Sequence, residues 1–310
     1  MIIQKLSRKI GDIMFSKINL WANSSRILHE TRKNVRKISS LKEALLFVIA
    51  YLLIYGISVL VFEILYNHLS FSYAVFDILS LFLMGIEIII IFFFVTKIEK
   101  RSLRSIGVSK ENVLPSILKG FAIGFVMFLA VVGIGILLGQ YSYNGLDMSM
   151  LFLAIPYFLG FFVQSLAEEI ETRGWVNTYF SKRHRIFIGF LISDLIFVLT
   201  HSFNSGLDIV SVINIFIVGM MFTMLFWKYD NIWVCGSAHA MWNFTQGYLL
   251  GFNVSGFESA CLFSFQQNSQ SLIGGGIFGP ESGLIATFVI ITAIVIIWYY
   301  PKKSNVQSSV

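Results

Sequence analysis

Residues 150–182 read MLFLAIPYFLGFFVQSLAEEIETRGWVNTYFSK. Up to Ala167 the run is apolar apart from Gln164 and Ser165. A helix needs about 20 such residues to cross ~30 Å of hydrocarbon, so the stretch is long enough to span. Glu168, Glu169, Glu171 and Arg173 then interrupt it, before Trp175, Tyr179 and Phe180 lead to Lys182. Aromatic residues just ahead of a basic cluster mark a membrane interface. One helix is therefore expected to run through the acidic patch to about Phe180. An ionised carboxylate in hydrocarbon costs a few kcal/mol, so two adjacent ones point to catalysis or ion handling.

The rest of the chain is of the same kind. Of its 310 residues 56% are hydrophobic and 13% charged, with 31 Phe, which excludes a soluble globular domain. Apolar runs of spanning length occur at about eight places: 43–66, 76–96, 114–138, 150–180, 186–203, 208–227, 232–250 and 283–300. A membrane barrel would instead show alternating segments of about ten residues. The expected fold class is all-α, a polytopic bundle of about eight transmembrane helices.

The net charge of +6 reflects where the basic residues lie and carries no sign of nucleic-acid binding. Ten Lys and Arg fall between Lys5 and Lys42, and six between Lys97 and Lys119. Arg173, Lys182, Arg183 and Arg185 follow, then Lys228, then Lys302 and Lys303. Segments 67–75, 139–149, 204–207 and 251–282 have none. Basic residues collect on cytoplasmic connections, so this alternation places both termini in the cytoplasm, as an even number of spans requires. Cys235 and Cys261 then fall at opposite faces and are not expected to form a disulfide. No cleavable signal peptide is expected, because residues 1–42 lack a continuous apolar core.

Three regions follow. Residues 1–42 are basic and amphipathic, with Ile10, Ile13, Met14, Ile18 and Trp21 at near-helical spacing among Lys5, Arg8, Lys9 and Lys17. They read as a helix in the inner interface drawn to anionic lipid, or as a basic tail that enforces topology. Residues 43–300 form the transmembrane domain, and 301–310 a cytoplasmic tail. Gly120 and Gly124, then Gly133, Gly135 and Gly139, offer small surfaces for close helix packing. Glu63 falls at the outer end of the first span, and Glu87 within the second, facing the bundle. Segment 251–282, with its Gln/Asn/Ser run and Gly274-Gly275-Gly276, reads as a polar, flexible outer connection.

Polar clusters break the apolar pattern at three places in the second half. Glu169 and Arg173 are i and i+4 and can pair, while Glu168 is turned about 100° away and is left as a candidate general base. Phe197 and His201 lie at the far end of the fifth span, and His239 and Asn243 share a face of the seventh. At ~1.5 Å per residue, Glu168 is roughly 21 Å above Lys182, His201 about 24 Å above Arg185, and His239 about 16 Å above Lys228. The clusters can therefore meet at one depth.

In this order, E-E-x-x-x-R, F-x-x-x-H and H-x-x-x-N on successive membrane helices resemble the CPBP family of CAAX proteases and bacteriocin-processing (Abi) enzymes. The likeness covers about residues 150–250. It implies an intramembrane endopeptidase with a cavity opening toward the cytoplasm. On this chain Glu168 and His201 would activate the attacking water, and His239 and Asn243 would stabilise the oxyanion. Glu169 and Arg173 would hold the helix, with Phe197 in support. Zinc remains open: Glu168, His201 and His239 could ligate it. Asn243 beside His239 and the lack of H-E-x-x-H favour a metal-free glutamate mechanism with no cofactor.

The expected partners are the lipid bilayer and a membrane peptide or protein substrate, in a multi-pass protein of a bacterial plasma membrane. The role would lie in peptide maturation or bacteriocin self-immunity. Two other readings stand beside it. One is a non-catalytic immunity or regulatory scaffold. The other is a proton-coupled transporter using Glu168, Glu169 and Asp194.

Overall fold

The computed structural model describes residues 16–33, 48–64 apart from 54, 58 and 62, 72–182 and 186–300. Parts of the expected first span and of the basic N-terminal segment, residues 183–185, and the whole 301–310 tail lie outside them.

Long apolar runs become helices because only an internally hydrogen-bonded backbone is tolerated in hydrocarbon. In chain order the helices are the short, polar α1 (Arg26–Lys33) and then, from apolar runs, α2 (Tyr73–Phe93), α3 (Val113–Leu137), α4 (Ala154–Glu169), α5 (Ile186–Thr200), α6 (Ile209–Tyr229), α7 (Trp233–Phe244) and α8 (Leu284–Tyr299). Wide π-turns extend α2 to Ile98, α4 to Asn177 and α7 to Leu249. With its flanking turns, the α4 helix runs from Met148 to Ser181, passing through the acidic patch as its reading required. Among the described residues four helices are long and apolar enough to cross a membrane, and Val48–Val61, α5 and α8 are shorter apolar helices. Ile89, Leu118, Val126, Ile155, Phe288 and Val295 are exposed on the outside of the bundle, as suits a surface facing lipid.

Glycines set the spacing around α7. A Cβ on Gly120 would lie 2.4 Å from the Val234 oxygen, and one on Gly124 2.1 Å from the Ala238 oxygen. A Cβ on Gly236 would meet Leu166 at 2.8 Å. The helix bearing His239 and Asn243 is thus pressed at backbone contact against α3 and lies on the Leu166 side chain of α4.

Two expectations change here. The fold is not purely helical: β1 (Tyr141–Leu146) pairs antiparallel with β2 (Phe263–Gln267), with a bulge between Tyr143 and Gly145. Segment 251–282 is consequently no open connection. Tyr141 packs its ring on Gly135 and donates to the Gly274 oxygen at 2.7 Å, which ties the segment to the top of α3. The physical signal is the alternation of Tyr141 and Tyr143, and of Phe263 and Phe265, with polar neighbours.

The second change concerns residues 16–33. Ile18, Trp21, Ala22, Ile27 and Leu28 are buried against the protein, so this stretch covers the basic end of the bundle with its apolar face. The Asp230 carboxylate accepts from Ser25 and from the Arg26 and Ile27 amides, capping α1. Lys17 and Lys228 each donate at 2.7 Å to terminal carbonyls of α8, Trp298 and Ile297.

Candidate active site

Glu168 and Glu169 end the regular part of α4, and the π-wound turn Ile170–Asn177 begins immediately after them. Such turns recur at functional sites. Arg173, fully buried within it, needs acceptors for every donor it can satisfy, since an unpaired buried charge is strongly destabilising. Its Nη1 donates to Glu169 Oε1 at 3.1 Å and Thr172 Oγ1 at 2.7 Å, and its Nη2 to Asp194 Oδ1 at 3.4 Å. The guanidinium lies 4.3 Å from the Phe197 ring centre. Gly219 of α6 makes room for this pair: a Cβ there would stand 2.7 Å from Arg173 Nη2 and 3.1 Å from Asp194 Oδ1.

Glu169 holds a second partner. His239 Nδ1 lies 3.1 Å from the same Oε1, so Nδ1 carries a proton and donates to the carboxylate. The imidazole stacks on Phe222 with centroids 5.0 Å apart. Its Nε2 then points to Glu168 Oε2, 3.8 Å away. Glu168 has different surroundings from Glu169: its side chain is 17% accessible against 0%. Its Oε1 accepts from Gln164, and its buried Oε2 has no hydrogen-bond partner among the described residues. Unsatisfied buried oxygens are rare and mark strain or function.

Asn243 connects to Glu168 through Gln164. Its Nδ2 donates to Gln164 Oε1 at 3.2 Å and Ser165 Oγ at 3.3 Å, while Gln164 Nε2 donates to Glu168. Sequence reading passed over Gln164, although it sits one turn before Glu168 on the same helix face. Its signal was an amide alone in an otherwise apolar run.

His201 lies in the turn after α5. Its Nδ1 is 2.7 Å from the Phe197 oxygen, which assigns the proton to Nδ1 and leaves Nε2 as an acceptor. Phe197, His201, His239 and Asn243 line one pocket. Its space for the centres of water molecules is about 40 Å³, more than the roughly 10–15 Å³ one water needs. Glu168 and Glu169 are outside the wall of this pocket, and Glu168 is reached across His239. His201 and Glu168 therefore do not touch but are linked through Phe197 and His239.

The same pocket holds residues the motifs did not mark: Asn214, Ser255 and Glu281. Glu281 Oε1 accepts from the Ser255 amide at 2.6 Å and hydroxyl at 2.9 Å. Burial pushes the Glu281 carboxyl up, against those hydrogen bonds and the nearby His201 and His239. Its only sequence signal was a single carboxylate within the glycine-rich GGGIFGPESG.

A second acidic group lies on the other side of Glu168. Glu87 and Glu171 are both buried there, with Tyr51 beside Glu171. Asp194 is fully buried and is held by Arg173 and Thr223. Glu63 is exposed.

Among the described residues no three His, Cys, Asp or Glu side chains are placed to hold one metal ion. The donors Glu168, His201 and His239 are distributed across two sides of an imidazole, so the set does not fit a single tetrahedral ion here.

Residues 149–245 match the family model described as type II CAAX prenyl endopeptidase, Rce1-like. This segment is an Rce1-like domain of the CAAX-protease (CPBP) family. It contains Glu168, Glu169, Arg173, Phe197, His201, His239 and Asn243. At family level the Rce1-like match supports a membrane endopeptidase. No curated protein and no solved structure is significantly similar to the chain.

Proposed function

We propose that the Rce1-like domain hydrolyses a peptide bond of a membrane-embedded peptide or protein by a glutamate-type mechanism. The observation that carries this is the Glu168 carboxylate, largely buried but reachable, with one unpartnered oxygen directed at the pocket-lining His239. Glu168 takes the proton of a water that attacks the carbonyl carbon. The tetrahedral oxyanion is met by N–H groups on the pocket wall, and the proton passes to the leaving amine as the C–N bond breaks. His201, with Nε2 free to accept, is the second proton carrier. Asn243 is an oxyanion donor, exchanging its 3.3 Å bond to Ser165 for the substrate oxygen, and His239 joins it through Nε2–H as an imidazolium whose Nδ1–H stays on Glu169. Glu169 fixes the His239 ring, and Arg173 fixes Glu169. In the long reach from Glu168 to the pocket, hydrogen bonds that are loose without substrate tighten when it binds.

The bilayer orientation with cytoplasmic termini, a bacterial plasma membrane and a role in peptide maturation or self-immunity complete the proposal. An absence of prenylated proteins in such a cell favours unmodified membrane peptides over prenylated tails. The transporter reading has less support, because Asp194 is fully buried in an ion pair with Arg173. The scaffold reading predicts a phenotype independent of Glu168. Membrane peptides are compared in cells carrying the native protein and Glu168→Gln. Accumulation of an uncut precursor with the variant is expected, and identical peptide profiles would refute hydrolysis.

A further inference from the structure

Lys228 is an ammonium that the fold buries without an anion. It is 7% exposed, at the end of α6. Its Nζ donates to the Ile297 oxygen at 2.7 Å and lies 5.5 Å and 5.9 Å from the ring centres of Trp21 and Tyr229. Lys17 and Lys119 are close enough to repel it. Lys17 Nζ donates to the Trp298 oxygen at 2.7 Å and stands 4.1 Å from the centre of that ring. Lys119 Nζ is 4.4 Å from the Tyr229 ring centre. Each ammonium carries three N–H donors, and none of the three lysines has an ion pair among the described residues.

The carboxylates at this end are engaged elsewhere. Asp230 accepts from Ser25 and from the Arg26 and Ile27 amides, Glu111 pairs with Arg26 and Arg104, Glu99 with Arg101, and Glu30 with Lys33. A buried charge without a counter-ion is strongly unfavourable. The terminal carbonyls of α8 offset part of the cost through the helix dipole. They hold only two of the three ammonium groups, and they supply no full negative charge. Trp298 adds a further donor, because its Nε1–H is buried with no partner among the described residues.

The surroundings select the kind of anion. Lys119 is exposed and lies about 9 Å beyond Val113 along the α3 axis. It is the one charged residue of α3, and α8 has none. The two helices pack against each other, and Leu118 and Val126 of α3 and Ile291 and Val295 of α8 are exposed. Trp21, Tyr229, Trp298 and Tyr299 supply the aromatic residues of a bilayer interface beside the lysines. A free anion from water would leave this apolar wall bare, whereas a lipid covers it with acyl chains.

We propose that Lys17, Lys119 and Lys228, with Trp298, form a binding site for the phosphodiester headgroup of an anionic lipid, whose acyl chains lie along α3 and α8. The phosphate oxygens take up the spare N–H donors, and the headgroup ties residues 16–33 to the ends of α6 and α8. Lys228 is at the opposite end of α6 from Asn214 of the pocket, so the site stands whether or not the chain hydrolyses peptides.

The full chain is purified in detergent, stripped of lipid, and titrated with dioleoyl phosphatidylglycerol, dioleoyl phosphatidylcholine or inorganic phosphate. Lipid adducts are read by native mass spectrometry and melting temperatures from the same samples. One phosphatidylglycerol is expected to be retained at a concentration where phosphatidylcholine is not. Its rise in melting temperature should not be reproduced by inorganic phosphate. A lysine beside an anionic headgroup is worth about five-fold in affinity, so Lys17→Gln and Lys119→Gln should each weaken retention by about that factor. Lys110→Gln, exposed and outside the cluster, should leave it unchanged. Lys119 is exposed and makes no hydrogen bond to the described residues, so a folding defect does not mask its result. Equal retention of the two lipids, or a phosphate effect equal to that of phosphatidylglycerol, would overturn the inference. So would equal retention by Lys119→Gln, Lys110→Gln and the native chain.

Discussion

Gly219→Ala adds a single methyl group at the most tightly determined point of the site. The new Cβ would stand 2.7 Å from Arg173 Nη2 and 3.1 Å from Asp194 Oδ1, both fully buried. Neither partner can retreat into solvent, and Arg173 Nε and Asp194 Oδ2 already have no hydrogen-bond partner among the described residues. Overpacking of this kind costs about 1–3 kcal/mol, and complete loss of a buried pair sets an upper bound of ~3–5 kcal/mol. At ~2–4 °C per kcal/mol, the apparent melting temperature in detergent should fall by roughly 2–12 °C. Gly133→Ala is the matched control: it is also within a helix, but a Cβ there meets nothing within 4 Å. Helix propensity alone should make that change neutral or stabilising by ~0.5–1 kcal/mol. Activity separates the two further. Arg173 and His239 share Glu169 Oε1, so a shifted guanidinium moves the imidazole, and a ~1 Å misplacement costs on the order of 10²-fold in rate. Equal melting temperatures and equal cleavage rates for the two alanine variants would refute the idea that Arg173 is held by steric fit.

Further outcomes follow from the same contacts. Gln164→Leu removes the donor to Glu168 Oε1 and the acceptor for Asn243, so kcat should fall about 10–100-fold, as loss of one hydrogen bond to a charged group implies; steady-state kinetics with KM unchanged would confirm it. Arg173→Lys keeps the charge but cannot reach Glu169, Thr172 and Asp194 together; thermal unfolding should show a loss of about 2 kcal/mol or more, approaching the cost of a broken buried pair. Gly124→Ala drives a methyl group into the Ala238 carbonyl and should separate α3 from α7, read as loss of monodisperse protein on gel filtration.

The spans were readable because α3, α4 and α6 are continuous apolar runs whose ends are marked by Lys119, Lys182 and Lys228. The pairing of Glu169 with Arg173 was readable because i and i+4 share a helix face. The partners that complete the site come from distant segments and leave no local pattern: Asp194 on α5, Gly219 on α6 and Glu281 beyond α7. Gln164 was within reach, since it repeats the same one-turn spacing ahead of Glu168. The strand pair was missed because Tyr141–Leu146 and Phe263–Gln267 are too short to outweigh the surrounding turn residues. Residues 16–33 showed their amphipathic character plainly, but periodicity cannot distinguish lipid from protein as the surface that covers an apolar face.

Hydrolysis at Glu168 is tested most directly by isotope incorporation. Purified protein in liposomes is incubated with membrane-inserted peptides in ¹⁸O-labelled water, and new C-termini are read by mass spectrometry. The native chain is predicted to yield cleaved peptides carrying one ¹⁸O. Glu168→Gln, folded to the same melting temperature, should yield none above background. Unaltered cleavage by Glu168→Gln, or no labelled C-terminus from the native chain on any membrane peptide, would contradict a glutamate-activated water at this site.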